Sequence, residues 1–284
     1  MKISTEIDSS SKIVGEQKAI EYIAKAGFDA WDFSMFRMCN YNRSTKILEK
    51  SDHPLAGSSY IKFARELKQV GLDNGIVCNQ SHAPFPSYAK EVRDYFKRAI
   101  ECTAEAGGQI CVIHPDNYKS AKDNAELYLE LLPFAKEHNV KIATENMFCF
   151  DKEADDAIFA ACSDPEDFLS HLNEVNDDYL VACLDIGHAE MRGLKTSAVE
   201  MIKKLGSNIK ALHIHDNDRR HDMHQIPFSM EIDYRKIVDA LKEINYTGYL
   251  TLEAYRYLDA YTKDNVFEGI KNLALSADKI RNMF

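Results

Sequence analysis

The sequence predicts a (β/α)₈ barrel, and three observations lead to that prediction. Short β-type runs alternate with amphipathic helical stretches along the whole chain, which gives eight strand-helix units of roughly 35 residues each. No Pro/Gly/Ser-rich linker or low-complexity segment divides them, so we expect residues 1–284 to form a single domain. A barrel of this type typically has about 250 residues, close to the 284 present here.

The eight predicted strands are short runs rich in apolar residues. In chain order they are MKISTEI, FDAWDFSMF, GIVCNQSHA, QICVIHP, VKIATEN, LVACLDIGH, IKALHIHD and YLTLEAY. An open, doubly wound sheet is the alternative arrangement, but no GxGxxG motif follows the first strand.

Helices are predicted between the strands because apolar residues recur there at three- and four-residue intervals. Pro165 stands where one of these helices is expected to begin. The clearest examples are EQKAIEYIAKAG, SSYIKFARELKQVG, AKEVRDYFKRAIECTAEAG and DNAELYLELLPFAKEHN.

Composition narrows the class of protein. The net charge of −10 and the pI of about 5.5 make nucleic acid an unfavoured partner. No apolar run is long enough for a membrane span, and the start MKISTEIDSSSK lacks the apolar core of a secretion signal. Seven cysteines form no CxxC pair and are expected to be reduced. We therefore expect a cytoplasmic protein without a membrane partner.

Imidazole and carboxylate side chains stand at the ends of six successive predicted strands, where barrel enzymes carry their working residues. Any one of them could simply cap a strand. Six in succession are harder to explain in this way, because burying unpaired carboxylates is costly and a cation would offset that cost. Imidazole nitrogen and carboxylate oxygen suit Zn²⁺, Mn²⁺, Co²⁺ or Fe²⁺. The residues are His82, His114, Glu145, Asp185 with His188, His215 and Glu253.

The stretch HIHDNDRRHDMH, residues 213–224, is dense in possible metal ligands. It could be a solvated polar loop. Alternatively, Asp222 and His224 could add a ligand face to the mouth of the barrel. His213 shares the inward-facing parity of His215 and lies deeper, so it is expected to be a supporting or core residue rather than a ligand.

Eight motifs occur along the chain in an order and spacing that resemble the xylose isomerase-like TIM barrel superfamily. This superfamily includes sugar isomerases, ketose 3-epimerases, inosose dehydratases and type IV apurinic endonucleases. The resemblance covers nearly the whole chain and is much more specific for the fold and the metal site than for the substrate. The motifs are AGFDAWD, SHAPF, IHP, TENM, LDIGHAEM, HIHDND, DMHQIPFSMEID and LTLEAY.

The resemblance implies a ligand set and catalytic residues. Ketose 3-epimerase-like members hold one divalent ion with residues that correspond to Glu145, Asp185, His215 and Glu253. In those members the two glutamates are also the acid-base catalysts, and the residue corresponding to His188 contacts the substrate. Endonuclease-like members bind three zinc ions, and this chain also matches their additional ligands. We therefore expect one Mn²⁺, Zn²⁺ or Co²⁺ ion, with up to three accommodated, and the additional ligands would be His82, His114, His188, Asp222 and His224.

The expected function is that of a metal-dependent sugar isomerase or epimerase of carbohydrate metabolism, working by proton transfer through an enediolate. A free sugar or polyol is favoured over a sugar phosphate, since no Gly-rich loop follows strands seven or eight to bind a phosphate, and both substrate classes stay open. Arg219 and Arg220 are candidates for binding an anionic group. An inosose-type dehydratase is an alternative function, and a zinc-dependent phosphodiesterase acting on abasic DNA is a less favoured one. The resemblance to the family also allows a homo-oligomer.

Some positions depart from the family pattern or leave their role open. Phe228 and Met230 replace common glycines and are expected to reshape the mouth. Asp32 stands where a glutamate is common, which makes it a candidate supporting residue. Six aromatic residues near strand ends could wall the pocket or pack in the core, and they are Trp31, Phe33, Phe36, Phe85, Phe148 and Phe228.

Overall fold

A computed structural model describes all 284 residues, and its eight main strands form one parallel sheet. Each strand pairs with its neighbour in the chain, and the first pairs with the eighth. A parallel bridge between Ile214 and Leu252 joins the seventh strand to the eighth and closes the barrel. The predicted (β/α)₈ fold is confirmed. The strands are Lys2–Glu6, Ala30–Ser34, Val77–His82, Ile110–Val112, Lys141–Glu145, Leu180–Asp185, Ile209–His213 and Tyr249–Leu252.

Helices connect the strands on the outside of the barrel. The helix expected to begin at Pro165 does so, because the Asp164 side chain caps it by accepting from the backbone N–H groups of Glu166 and Asp167. The α-helices are Asp8–Val14, Glu16–Ala26, Tyr60–Asp73, Lys90–Arg93, Phe96–Ala106, Ala121–Glu137, Pro165–Val175, Ile186–Ala189, Ala198–Leu205, Tyr234–Glu243 and Val266–Arg281.

Two small antiparallel hairpins follow the second and fifth barrel strands. The first pairs Asn40–Asn42 with Ile47–Glu49, and the second pairs Cys149–Asp151 with Asp156–Ile158. In each, a side-chain oxygen (of Asn42 and of Asp151) accepts two backbone N–H groups of the turn. These strands have three residues each and are almost entirely exposed or half-buried, so they lack the apolar run that indicates a barrel strand, and the sequence did not predict them.

The barrel interior and the layer between barrel and helices are packed separately. A cluster of 66 buried residues fills most of the space against the helices. Small side chains from neighbouring strands, including Val112, Ala143, Cys183 and Ala211, form a second cluster. Because side chains alternate along a strand, Ala143 and Cys183 point to the same side as Glu145 and Asp185. The small interior residues therefore lie directly beneath the polar strand ends.

No helix of the structure is both long enough and apolar enough to span a bilayer.

Replacing Phe96 with alanine is expected to lower the free energy of unfolding by about 3–5 kcal/mol, because its fully buried ring would leave a cavity. The matched control is Leu129→Ala, since Leu129 is 52% exposed on another helix and should change stability by less than about 0.5 kcal/mol. Urea denaturation measures both. Equal losses in the two variants would contradict this account of the core.

Candidate metal centre

A cavity of about 1040 Å³ opens at the carboxyl ends of the barrel strands. Its lining contains seven of the predicted site residues. Asp185 and His215 do not line the cavity and are completely buried, but they contact the lining residues His188 and Asp222. All nine candidate side chains therefore lie at one mouth of the barrel. The seven that line the cavity are His82, His114, Glu145, His188, Asp222, His224 and Glu253.

The first ligand cluster joins the third, fourth and fifth strands. His82 Nε2 lies 2.8 Å from His114 Nε2, which lies 3.0 Å from Glu145 Oε2. The distance from His82 Nε2 to the same carboxylate oxygen is 3.6 Å. The Nδ1–H of His82 donates to the Ala83 carbonyl, so in the neutral ring Nε2 is left without a proton. Three ligand atoms therefore converge on one point.

A second cluster is built from the sixth strand end and the loop after the seventh strand. His224 Nε2 lies 2.9 Å from Asp222 Oδ1, and the Nε2 atoms of His188 and His215 each lie 3.6 Å from it. His215 Nε2 is also 3.1 Å from Asp185 Oδ1. His215 thus belongs to the second cluster and also contacts Asp185 at the end of the sixth strand.

Backbone carbonyls orient the imidazole rings of the second cluster as well. His188 donates its Nδ1–H to the Asn146 carbonyl at 2.9 Å, and His224 donates to the Glu253 carbonyl at 2.7 Å. A carbonyl can only accept, so the proton is on Nδ1 and a neutral ring presents a bare Nε2 to its neighbours. This arrangement is typical of histidines that bind metals.

The centre of the site is a group of carboxylates around His213. Ligand atoms of Glu145, Asp185, Glu253 and His213 all lie within 4.8 Å of one another. His213 Nδ1 is 3.0 Å from Glu145 Oε1, and its Nε2 is 3.4 Å from Asp32 Oδ2. His213 therefore lies among the central carboxylates and contacts Asp32 on its other side, whereas the expected ligand His215 belongs to the second cluster.

His215 keeps its place because Gly187 has no side chain. A Cβ atom added at Gly187 would lie 2.0 Å from Cε1 of the His215 ring and 2.3 Å from its Nε2. The glycine between Asp185 and His188 is thus required for the close approach of the imidazole to the sixth strand end.

Several buried polar atoms of this site have no hydrogen-bond partner. They include Asp185 Oδ2, Asp222 Oδ1 and both ring nitrogens of His215. Leaving such atoms unpaired in the interior is costly. Nitrogen and oxygen donors that converge in this way are the ligands preferred by Zn²⁺, Mn²⁺ and Co²⁺, so the residues fit a divalent metal ion.

The two central glutamates have opposite pKa shifts. Burial would raise the pKa of Glu145, but His213 and His114 outweigh it and hold that pKa well below its usual value. Burial raises the pKa of Glu253 well above its usual value; His213 opposes the rise, and Glu145 and Asp185 add to it. Burial and His82 lower the pKa of His114 to about 4, which keeps it neutral and able to coordinate. The two glutamates therefore have opposite electrostatic environments, one favouring the carboxylate and the other disfavouring it.

Arg219 and Arg220 lie outside the lining of the cavity. The Arg219 guanidinium is 3.3 Å from Glu190, and Arg220 donates to the Asp155 carbonyl at 2.6 Å. Both guanidinium groups already have partners in the protein and lie away from the mouth, so they do not form an anion site there.

The aromatic residues divide between the cavity wall and the core. Phe36, Phe85 and Phe148 line the cavity. Trp31 and Phe33 are completely buried and belong to the core cluster. Only the first group can contact a substrate.

Phe228 and Met230 do not reshape the mouth, contrary to the expectation from the sequence. The Phe228 ring packs at 4.9 Å against Tyr234, and neither Phe228 nor Met230 lines the cavity. The loop turns both residues outward because the Asp216 carboxylate accepts the Met230 backbone N–H at 3.0 Å.

One part of the cavity wall lies away from the strand ends and was not predicted from the sequence. Four basic side chains and Tyr255 belong to it, and Tyr255 packs 4.0 Å from the His224 ring. The basic residues follow the first two strands at irregular intervals, so no regular spacing pointed to them. They are Lys12, Arg37, Arg43 and Lys50.

Comparison with known proteins adds to these observations. The model of the xylose isomerase-like TIM barrel family matches residues 20–276. A Methanocaldococcus jannaschii protein of uncharacterised function, MJ1311, is 27% identical over 301 residues, with 94% of each chain covered. Among solved structures, a D-tagatose 3-epimerase-like protein is 21% identical with a TM-score of 0.71, and 99% of each chain is covered. D-psicose 3-epimerase from Clostridium cellulolyticum is 16% identical with a TM-score of 0.69, covering 100% of this chain and 99% of that one. The structural similarity concerns the fold.

Substituting Gly187 with alanine is expected to displace His215 and to lower the divalent metal bound per chain at least about tenfold, in line with the usual cost of disturbing the support of a metal ligand. Gly57→Ala is the matched control, because its Cβ would meet nothing closer than 3.9 Å. Elemental analysis of both variants, together with their circular dichroism, separates loss of metal from loss of fold. Normal metal content in a folded Gly187→Ala variant would show that the close approach is not needed.

Proposed function

Because the chain belongs to the xylose isomerase-like TIM barrel family, we propose that it is a metal-dependent sugar isomerase or epimerase. The observation that carries the proposal is the pair Glu145 and Glu253, two buried carboxylates in one group of ligand atoms with opposite pKa shifts. Epimerisation requires a proton to be removed from one face of a carbon and returned to the other, which two carboxylates can do, and isomerisation can use the same groups. The proposal takes residues 1–284 as a single domain.

The residues that would hold the catalytic ion are Glu145, Asp185, His215 and Glu253. A bound divalent cation would supply a Lewis acid that polarises the carbonyl group of a sugar. We propose Mn²⁺, Zn²⁺ or Co²⁺, with one ion needed for the reaction. The clusters around His82 and His224 offer two further positions, so up to three ions can be accommodated.

In this proposal the two glutamates transfer the protons. Glu145, held as a carboxylate by His213 and His114, removes the proton from the carbon next to the carbonyl. Glu253, whose pKa is raised by burial, would return a proton to the opposite face of that carbon for epimerisation or to the neighbouring carbon for isomerisation. His188 lines the same cavity and is positioned to orient a substrate hydroxyl. The aromatic rings of Phe36, Phe85 and Phe148 line the cavity and can pack against the apolar face of a sugar.

Similar structures support this choice of chemistry by analogy. They include a D-tagatose 3-epimerase-like protein, a D-psicose 3-epimerase and an L-ribulose 3-epimerase. A dehydratase acting on a cyclic polyol ketone would use the same bases and ion, and it differs only in losing a β-hydroxyl after the same proton is removed. A cytoplasmic location and a homo-oligomeric state stay predictions.

A second candidate function is metal-assisted phosphodiester hydrolysis. The observation in its favour is that two further clusters, His82–His114–Glu145 and His188–His215–Asp222–His224, accompany the central one. Clustered ions can activate water and clamp a phosphate. The net charge of −10 opposes a nucleic-acid substrate, so we place this function second.

Removing the metal is expected to abolish turnover. Protein purified without chelator should contain about one Mn²⁺, Co²⁺ or Zn²⁺ per chain and should exchange solvent deuterium into a ketose next to its carbonyl. Dialysis against a chelator should stop this exchange, and Mn²⁺ should restore it. Two or three zinc ions with no exchange into any ketose would favour phosphodiester hydrolysis instead, to be assayed on an abasic oligonucleotide.

Replacing Glu145 or Glu253 with glutamine is expected to lower the rate of deuterium exchange by about 10²–10⁴-fold, since each variant loses a proton-transfer group. Glu130→Gln serves as the control, because Glu130 is exposed on an outer helix. Metal content is measured alongside, so that loss of the ion and loss of the base are told apart. Undiminished exchange in either metal-loaded variant would remove that glutamate from the mechanism.

A further inference from the structure

Four cations line the cavity, and three of them already have a carboxylate partner. Arg43 is the exception, since it is exposed and forms no ion pair. Its guanidinium is therefore the cation of this wall that is free to bind a ligand. The three existing pairs are Lys12 with Asp8, Arg37 with Glu16 and Lys50 with Asp52.

The position of Arg43 relates it directly to the candidate metal centre. Its Cζ atom lies 5.5 Å from the centre of the Phe85 ring. Phe85 in turn stacks on the His114 ring at 5.4 Å and lies 5.9 Å from the His82 ring. One aromatic ring thus separates the guanidinium from the first ligand cluster. Arg43 and the two central glutamates line the same cavity.

The hairpin that carries Arg43 holds its own acidic residue away from the guanidinium. Glu49 accepts hydrogen bonds from the side-chain amides of Asn40 at 2.9 Å and Asn42 at 2.7 Å, one at each carboxylate oxygen. Asn42 also accepts the backbone N–H groups that close the turn. The turn is therefore ordered, and stacking on Phe85 orients the planar guanidinium before a ligand arrives.

We infer that Arg43 binds an anionic oxyacid group, a carboxylate or a phosphate, at the end of the substrate remote from the metal centre. The inference rests on the proposed function and revises the substrate class favoured from the sequence, which was a free sugar or polyol. A guanidinium donates two parallel N–H bonds to such a group, and charge-assisted bonds of this kind are about twice as strong as neutral ones. The substrate is then a sugar acid or a sugar phosphate.

The test compares three ketoses that differ only at carbon 6: D-fructose, D-fructuronate and D-fructose 6-phosphate. Dissociation constants are measured by calorimetry on Mn²⁺-loaded protein, and deuterium exchange is followed on the same samples. At least one anionic ketose should bind about tenfold or more tighter than D-fructose, as expected for hydrogen bonds to a charged group. Which of the two binds tighter tells a carboxylate site from a phosphate site.

Arg43→Gln should reduce this preference about tenfold, and Arg43→Lys, which keeps the charge and loses the planar fork, should reduce it less. The control is Lys46→Gln, which removes the same charge from an exposed position of the same hairpin outside the cavity lining; it should keep the full preference. Equal binding of charged and neutral ketoses, no binding of the charged ones, or an unchanged preference in Arg43→Gln would overturn the inference. If Arg43-dependent binding occurs without deuterium exchange, the anion site stands and the proposed function fails.

Discussion

The structure depends on one electrostatic constraint, which is that carboxylates and imidazoles are buried together at one end of a barrel. Burial without compensation would raise the pKa of the acids and lower that of the histidines. Here the groups compensate one another in part: His213 and His114 hold the pKa of Glu145 well below its usual value, whereas burial still raises the pKa of Glu253. A divalent cation would complete this balance, because it would supply positive charge beside the unpaired oxygens and nitrogens.

The barrel meets this constraint through its backbone. Parallel strands that follow the chain order bring the carboxyl ends of successive strands to one mouth. Carbonyl groups at Ala83, Asn146 and Glu253 then set the proton position of three histidines. Small side chains such as Ala143 below the polar layer leave room for His213 to support the centre. The central carboxylates therefore stand at the ends of rigid strands rather than on loops.

The loops decide what the centre can bind. The hairpin after the second strand brings Arg43 over Phe85, and the hairpin after the fifth strand adds Phe150 and Ile158 to the cavity lining. The loop after the seventh strand contributes Asp222 and His224 to the candidate metal ligands, yet its Phe228 points outward. Barrels with similar strand ends can therefore act on different substrates.

The sequence by itself determined the eight strands and the residues at their ends, because strand periodicity and the regular length of a strand-helix unit are local properties. Glu145, Asp185 and Glu253 were predicted in this way and do lie together. Only the tertiary structure decided that His213 lies against the central carboxylates, that Arg219 pairs with Glu190, and that Arg43 reaches the mouth. Their positions depend on the folding of short hairpins and on contacts between residues far apart in the chain, and neither leaves a periodic trace in the sequence.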